Sequence, residues 1–199
     1  VATIDAVELS KQLVRMNTIN PPGAEQACAR YIGRLLEDAG FRTRYHELAP
    51  GRPSLVATIG GSAGKKPLCF TGHIDTVPLG AAKWKMDPFA ADTDGGRMYG
   101  RGISDMKSGV AAFVASSLRL ADKLPRSAGL ELVITAGEET GCQGAFHLSR
   151  ESGALGRAGA VVVAEPSSNF PFVGHKGAFW LHARTRGVTA HGSMPEKGV

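Results

Sequence analysis

The chain has 199 residues, of which 43% are hydrophobic, 21% charged and 7% aromatic, and 23 Lys+Arg against 18 Asp+Glu give a net charge of +5. Such a chain can form one soluble domain, or one domain and part of another, with a core that needs no disulfide staples, and it excludes disordered and collagen-like architectures. The positive excess is spread without basic blocks or interleaved aromatics, which argues against a nucleic-acid partner, and no apolar run approaches the ~20 residues of a membrane span.

In chain order, a first helix is expected over Ile4 to Met16, stopped by Asn20, Pro21, Pro22 and Gly23. Ala24, Ala27, Cys28, Tyr31, Ile32, Leu35 and Leu36 keep the spacing of an amphipathic helix that Gly40 would end. Extended segments follow at Phe41 to Glu47 and Ser54 to Ile59. Gly60 to Lys66 lacks the glycine spacing and the Ser or Thr of a phosphate loop and reads as a tight hairpin turn.

From residue 67, short apolar strands at Pro67 to Thr71, Leu130 to Thr135 and Ala160 to Ala164 alternate with helices at Ser108 to Lys123 and Gln143 to Glu151. The alternation predicts an α/β fold, a mostly parallel sheet flanked by helices. After Pro166 the crossovers stop, and Gly177 to Arg186 alternates like a strand with one wet face, so a domain boundary is expected near Gly174. Cys28, Cys69 and Cys142 are too few and too far apart for a disulfide framework or a thiolate zinc site. With Asp5 and Glu8 where a signal peptide would be apolar, a cytoplasmic location is the default.

In open α/β sheets ligands bind outside the carboxyl ends of the strands. Here those ends run into Gly72-His73-Ile74-Asp75, Gly137-Glu138-Glu139-Thr140-Gly141 and Glu165-Pro166. Asp105 joins them from a glycine-punctuated loop before the long helix. Taken singly, each has a bland reading as a surface pair, a helix cap or a solvated turn. Together they put one histidine and five carboxylates at one edge, where the carboxylates would repel unless a cation compensates them. Hard oxygen donors with one imidazole and no thiolate favour zinc, cobalt or manganese, and the carboxylate count suggests two ions. Alternation along an extended segment lets His73 and Asp75 face the site together, His73 as ligand and Asp75 as the group that holds its ring.

The segments GHIDTVP (Gly72 to Pro78), YGRGISDMKSG (Tyr99 to Gly109), AGEETG (Ala136 to Gly141), AEPS (Ala164 to Ser167) and GVTAHGSMP (Gly187 to Pro195) resemble, in order, those of the acetylornithine deacetylase and succinyl-diaminopimelate desuccinylase family, which includes aminoacylases, carboxypeptidases and dipeptidases. The resemblance implies a zinc-exopeptidase-like catalytic domain over residues 1–174, and over 175–199 the first strand and histidine motif of an α+β lid or dimerisation domain. It implies that His73 and Glu165 bind one metal, Glu139 the second, and that Asp105 bridges both. Asp75 would support His73, Glu138 would be the general base, and His191 would be the histidine that the lid offers to a neighbouring subunit's site. His147, His175 and His182 match no ligand position.

The activity so implied is hydrolysis of the amide bond of an N-acyl amino acid by a metal-bridged water, with two divalent ions, zinc first and cobalt or manganese as alternatives. A metallo-dipeptidase or carboxypeptidase is the alternative substrate reading, and a homodimer is the implied assembly. The family is longer, and its last histidine ligand, near the C-terminus, has no counterpart here, so the chain is expected to be the N-terminal portion of such an enzyme and, alone, a catalytically inactive fragment is the rival expectation. No Gly-x-Ser-x-Gly elbow supports a serine hydrolase.

Overall fold

The computed structural model describes residues 4–61, 65–124, 127–179, 181–184 and 186–198. These form two compact units that divide between Pro166 and Ser167. In the first, helices α1 (Ala6–Val14) and α2 (Gln26–Asp38) precede the antiparallel strands β1 (Arg42–Glu47) and β2 (Pro53–Gly60). Strand β3 (Leu68–His73), a two-residue ribbon of β4 (Thr93–Asp94) and β5 (Arg97–Met98), helix α3 (Ser108–Leu120), strand β6 (Gly129–Thr135), helix α4 (Gln143–Arg150) and strand β7 (Ala160–Val163) follow.

The main sheet has the order β1-β2-β6-β3-β7. Strands β6, β3 and β7 are mutually parallel, and β2 runs antiparallel to both of its neighbours, β1 and β6. Four strands therefore point one way and one points back, which is the mostly parallel sheet that alternation predicts. Segment 60–66 is not a hairpin turn, because β2 and β3 both pair with β6, on opposite sides of it. Local turn chemistry cannot choose a strand's partner, and the intervening position goes to β6, the strand buried along its whole length. The middle of that segment, residues 62–64, lies outside the described residues.

Side chains alternate across the sheet and fill two cores. Leu55, Ala57, Leu130, Leu132 and Ile134 pack with α1, α2 and α3 through Leu9, Leu13, Ile32, Leu36, Val110 and Val114. Val56, Cys69 and Val133 pack on the opposite face with Leu148 of α4 and Ala154. Both faces of β6 are buried, as expected of a central strand in an α/β sheet. Its inward Glu131 accepts the Gly156 amide at 2.7 Å, which satisfies a carboxylate that burial would otherwise penalise.

In the second unit the described part of segment 177–186 forms no β-ladder, so the expected strand is absent there. Alternation supplies a face but not hydrogen-bond partners, and no described segment of this unit lies beside it as a neighbour. Its regular structure among the described residues is one turn of 3₁₀-helix, Pro195–Lys197. No helix among the described residues is long and apolar enough to cross a membrane.

Candidate metal centre

The parallel register sets the site. His73, the last residue of β3, lies opposite Thr135, the last of β6, and Thr71 lies opposite Val163, the last of β7. Glu165, two residues past Val163, therefore reaches the level of His73, and Glu138 and Glu139 follow in the turn after β6. Asp105 arrives from a wide helical turn, Ile103–Lys107, whose backbone departs from helical angles at Asp105 and Met106. Gly102 starts that turn at φ +80°, and a Cβ there would run into the Thr76 side chain. Gly109 lets the first turn of α3 press on the Ala164 carbonyl, which brings the Asp105 loop to the end of β7.

His73 is 1% exposed and sits at the convergence. Its Nδ1–H donates to the Asp75 main-chain oxygen at 3.0 Å and lies 3.4 Å from Asp75 Oδ1. That bond leaves Nε2 facing the carboxylates: 3.1 Å from Asp105 Oδ1, 3.5 Å from Glu165 Oε1 and 3.7 Å from Glu138 Oε2. Donor atoms of His73, Asp105 and Glu139 all lie within 4.8 Å of one another. One pinned imidazole among several carboxylates is a donor set that fits a divalent cation.

Asp75 is fully buried and ties the parts together. Oδ1 accepts the Glu138 amide at 2.9 Å, and Oδ2 accepts the Glu139 amide at 3.1 Å and the Asn20 side-chain amide at 2.8 Å. Burial opposes its charge, but the hydrogen bonds from His73, Asn20 and the Glu138 amide outweigh it and hold the carboxyl below its usual range.

The cluster is strained electrostatically without a cation. Burial would lower the His73 pKa, yet hydrogen bonds to Asp105 and Asp75 and the charges of Asp75 and Glu165 raise it to about 10. Burial pushes Glu165 up to about 7, the His73 charge being outweighed by those of Asp105, Glu138 and Glu139. Glu139 is also raised, by burial first and then by Asp105, whereas the His73 hydrogen bond lowers Asp105. A carboxyl that titrates near neutrality, beside a ring that holds its own proton well above it, is what a bound divalent ion would relieve.

Six of the seven expected site residues, His73, Asp75, Asp105, Glu138, Glu139 and Glu165, thus meet at one sheet edge. His191 belongs to the second unit, where it is exposed; Nδ1 accepts the Ser193 amide at 3.3 Å and lies 2.8 Å from Ser193 Oγ. Two buried residues escaped the sequence reading. Asn20 looked only like a helix stop, and Lys107 like one more residue of the glycine-punctuated loop. The Lys107 ammonium, 1% exposed as a residue, donates to the Leu13 and Met16 carbonyls at 3.0 and 2.7 Å and so anchors the Asp105 loop to the end of α1.

The histidine and carboxylate cluster lies outside the carboxyl ends of the parallel strands, where open α/β sheets bind their ligands, and defines the class of an α/β protein with a candidate metal site. The chain belongs to Peptidase family M20/M25/M40, whose model matches residues 69–176. It is 34% identical over 203 residues to succinyl-diaminopimelate desuccinylase 2 of Ruegeria sp. (strain TM1040), covering 98% of this chain and 50% of the relative. It is also 34% identical over 200 residues to acetylornithine deacetylase of Proteus mirabilis (strain HI4320), covering 97% of this chain and 50% of that one. The fold is similar to an M20 family metallo-carboxypeptidase from Sulfolobus solfataricus, with a TM-score of 0.67 and 23% identity over 81% of this chain and 37% of that one. The chain thus spans about half the length of the curated relatives it matches.

Proposed function

We propose that this chain is part of a divalent-metal amidohydrolase that removes an acyl group from an N-acyl amino acid. The observation that carries the reading is His73, its Nδ1 fixed by Asp75 and its Nε2 within 3.1 to 3.7 Å of three carboxylates. The relatives at 34% identity carry deacetylase and desuccinylase names, whereas the likeness to the carboxypeptidase, at 23%, concerns the fold alone. A deacylase is therefore preferred to a peptidase.

In this reading His73 and Glu165 would hold one ion and Glu139 a second, with Asp105 shared between them. When bound, the ions, zinc before cobalt or manganese, supply Lewis acidity that acidifies a water and polarises the scissile carbonyl. Asp75 keeps the His73 ring in the tautomer whose Nε2 can ligate. Among the described residues Glu138 makes no salt bridge to Lys or Arg, its side chain is 36% exposed, and it serves as the base that takes the proton of the attacking water and passes it to the leaving amine. His191 accepts hydrogen bonds at Nδ1, which leaves Nε2–H as a donor suited to a developing oxyanion. Residues 1–174 would then be part of the catalytic domain and 175–199 the start of a lid through which a homodimer presents His191 to the neighbouring site. Three free cysteines accord with a cytoplasmic setting.

The test is release of free amino acid from N-acetyl and N-succinyl amino acids by the intact protein with added zinc or cobalt, with and without chelator. Activity that the chelator abolishes and that Glu138→Ala removes, with the metal content kept, supports the reading. Loss of metal from Glu138→Ala but not from Glu139→Ala would reverse the two glutamates, and turnover that survives chelation would remove the metal from the reaction.

A further inference from the structure

The roles proposed above begin at His73, but the carboxylate beneath the site is also gripped from the segment after α1. Asn20 is 3% exposed, and its backbone amide donates to the Thr76 carbonyl at 2.8 Å, one residue beyond Asp75. Thr76 in turn donates its amide to the Thr18 carbonyl at 3.0 Å, and the Thr18 hydroxyl donates to the Ile74 carbonyl at 2.6 Å. Residues 18–20 are thus strapped alongside 74–76.

The Asn20 side chain does something the strap does not require. Its Nδ2 donates to Asp75 Oδ2 at 2.8 Å and to Thr140 Oγ1 at 2.9 Å, so both amide hydrogens are engaged. A carboxylate only accepts, so the amide must present nitrogen to it, and the orientation of the carboxamide is fixed by chemistry. Carboxylates turn easily about their last torsion. Asp75 is stopped from turning by four groups: Asn20 and the Glu139 amide at Oδ2, the Glu138 amide and the His73 ring at Oδ1. Of these, Asn20 alone comes from outside the two motifs it joins, and it holds both at once, Asp75 of the first and Thr140 of the second.

We propose that Asn20 is a positioning residue of the metal centre: its carboxamide clamps the Asp75 carboxylate to the Glu138–Thr140 turn and so sets the spacing between the His73 ring and Glu139. This rests on the metal-centre reading above. Asn20 lies ahead of the span matched by the family model, residues 69–176, so the site extends beyond that span. Replacement by Ala frees one Asp75 oxygen, and replacement by Asp sets two carboxylates within hydrogen-bond distance of each other, which is the larger perturbation.

The test is a zinc competition titration of the intact protein and its Asn20→Ala, Asn20→Asp and Thr18→Val variants, with the cobalt d–d spectrum and the melting temperature recorded for each. Thr18→Val is the control for a merely structural role, since it breaks the same strap without touching Asp75. Expected are a zinc Kd raised about 10- to 100-fold in Asn20→Ala, and more in Asn20→Asp, with an altered cobalt spectrum. Thr18→Val should lower the melting temperature and leave the Kd within about twofold. The proposal is overturned if the Asn20 variants keep the wild-type Kd and spectrum, or if Thr18→Val weakens zinc as much as they do. Should the Asn20 variants not fold, Thr140→Val decides: a Kd raised several-fold supports the clamp, and an unchanged one overturns it. Wild-type protein that takes up no zinc would overturn the metal-centre reading, and this inference with it; zinc uptake indifferent to Asn20 would overturn this inference alone.

Discussion

One Asp75 oxygen accepts the Glu138 amide at 2.9 Å and the other the Glu139 amide at 3.1 Å, so a single carboxylate joins the end of β3 to the turn after β6. The same residue meets His73 Nδ1 twice, through its main-chain oxygen at 3.0 Å and through Oδ1 at 3.4 Å. These contacts separate two jobs that the sequence pattern His-x-Asp fuses into one: the main chain sets the ring, and the carboxylate sets the glutamates. Asp75→Asn distinguishes them, because its new NH₂ must face at least one of the donors that hold the carboxylate: the Glu138 amide and the His73 ring at one oxygen, the Glu139 amide and Asn20 at the other. We expect a zinc affinity lower by about 10- to 100-fold, read against a chromophoric chelator, with the fold retained by circular dichroism. Unchanged affinity would assign the whole of the orienting to the Asp75 carbonyl.

At the scale of the elements, the turn that carries Asp105 depends on a residue that cannot bear a side chain. Gly102 stands at φ +80° with the Thr76 methyl where its Cβ would be. Gly102→Ala should lower stability by about 1–3 kcal/mol in urea unfolding, from the left-handed backbone and the displaced neighbour together. It should also weaken zinc, since the turn must shift with Asp105 on it; an unchanged denaturation midpoint would show that the loop re-forms around a methyl group. The glycine punctuation, the strand ends and their acidic motifs were legible in the sequence because each is local: a strand's alternation or apolar run and its next few residues occupy one stretch of chain. Strand order was not. Whether β2 lies beside β3 or beside β6 depends on which apolar strand fills the middle of the sheet, and the glycines of segment 60–66 suit either connection. Asn20 and Lys107 were illegible for the same reason. Asn20 reaches Asp75 across 55 residues, and Lys107 reaches Met16 and Leu13 across 91 and 94. Segment 177–186 is the converse case, in which an alternating pattern was legible but the neighbour needed to make it a strand is not among the described residues of its unit.

For the molecule as a whole, the site makes stability depend on pH in opposite senses with and without metal. Glu165 titrates near 4.5 when unconstrained and near 7 in the folded, metal-free site, and His73 near 6.5 and near 10. Between each pair of values the folded state holds a proton that the unfolded state has released, so stability falls as pH rises through both windows. Asp75 and Asp105 act the other way: their folded values lie below the ordinary 3.8, and their contribution is lost as pH drops through them. In chelator, the melting temperature should therefore be highest on the acid side of neutrality and decline from about pH 5 toward 9. In the proposed metal centre zinc would reverse the slope, because His73 Nε2 and Glu165 would have to give up their protons to ligate, and binding to the folded state alone raises stability by mass action. The zinc-induced rise in melting temperature should accordingly be small near pH 5.5 and grow toward pH 8. Glu165→Gln provides the check: it removes the Glu165 share of the acidic window and leaves that of Glu139, which is also raised, so its metal-free melting temperature should decline less between pH 5 and 6.5 than that of the wild type. A parallel decline in both proteins would assign the titration to a group other than Glu165.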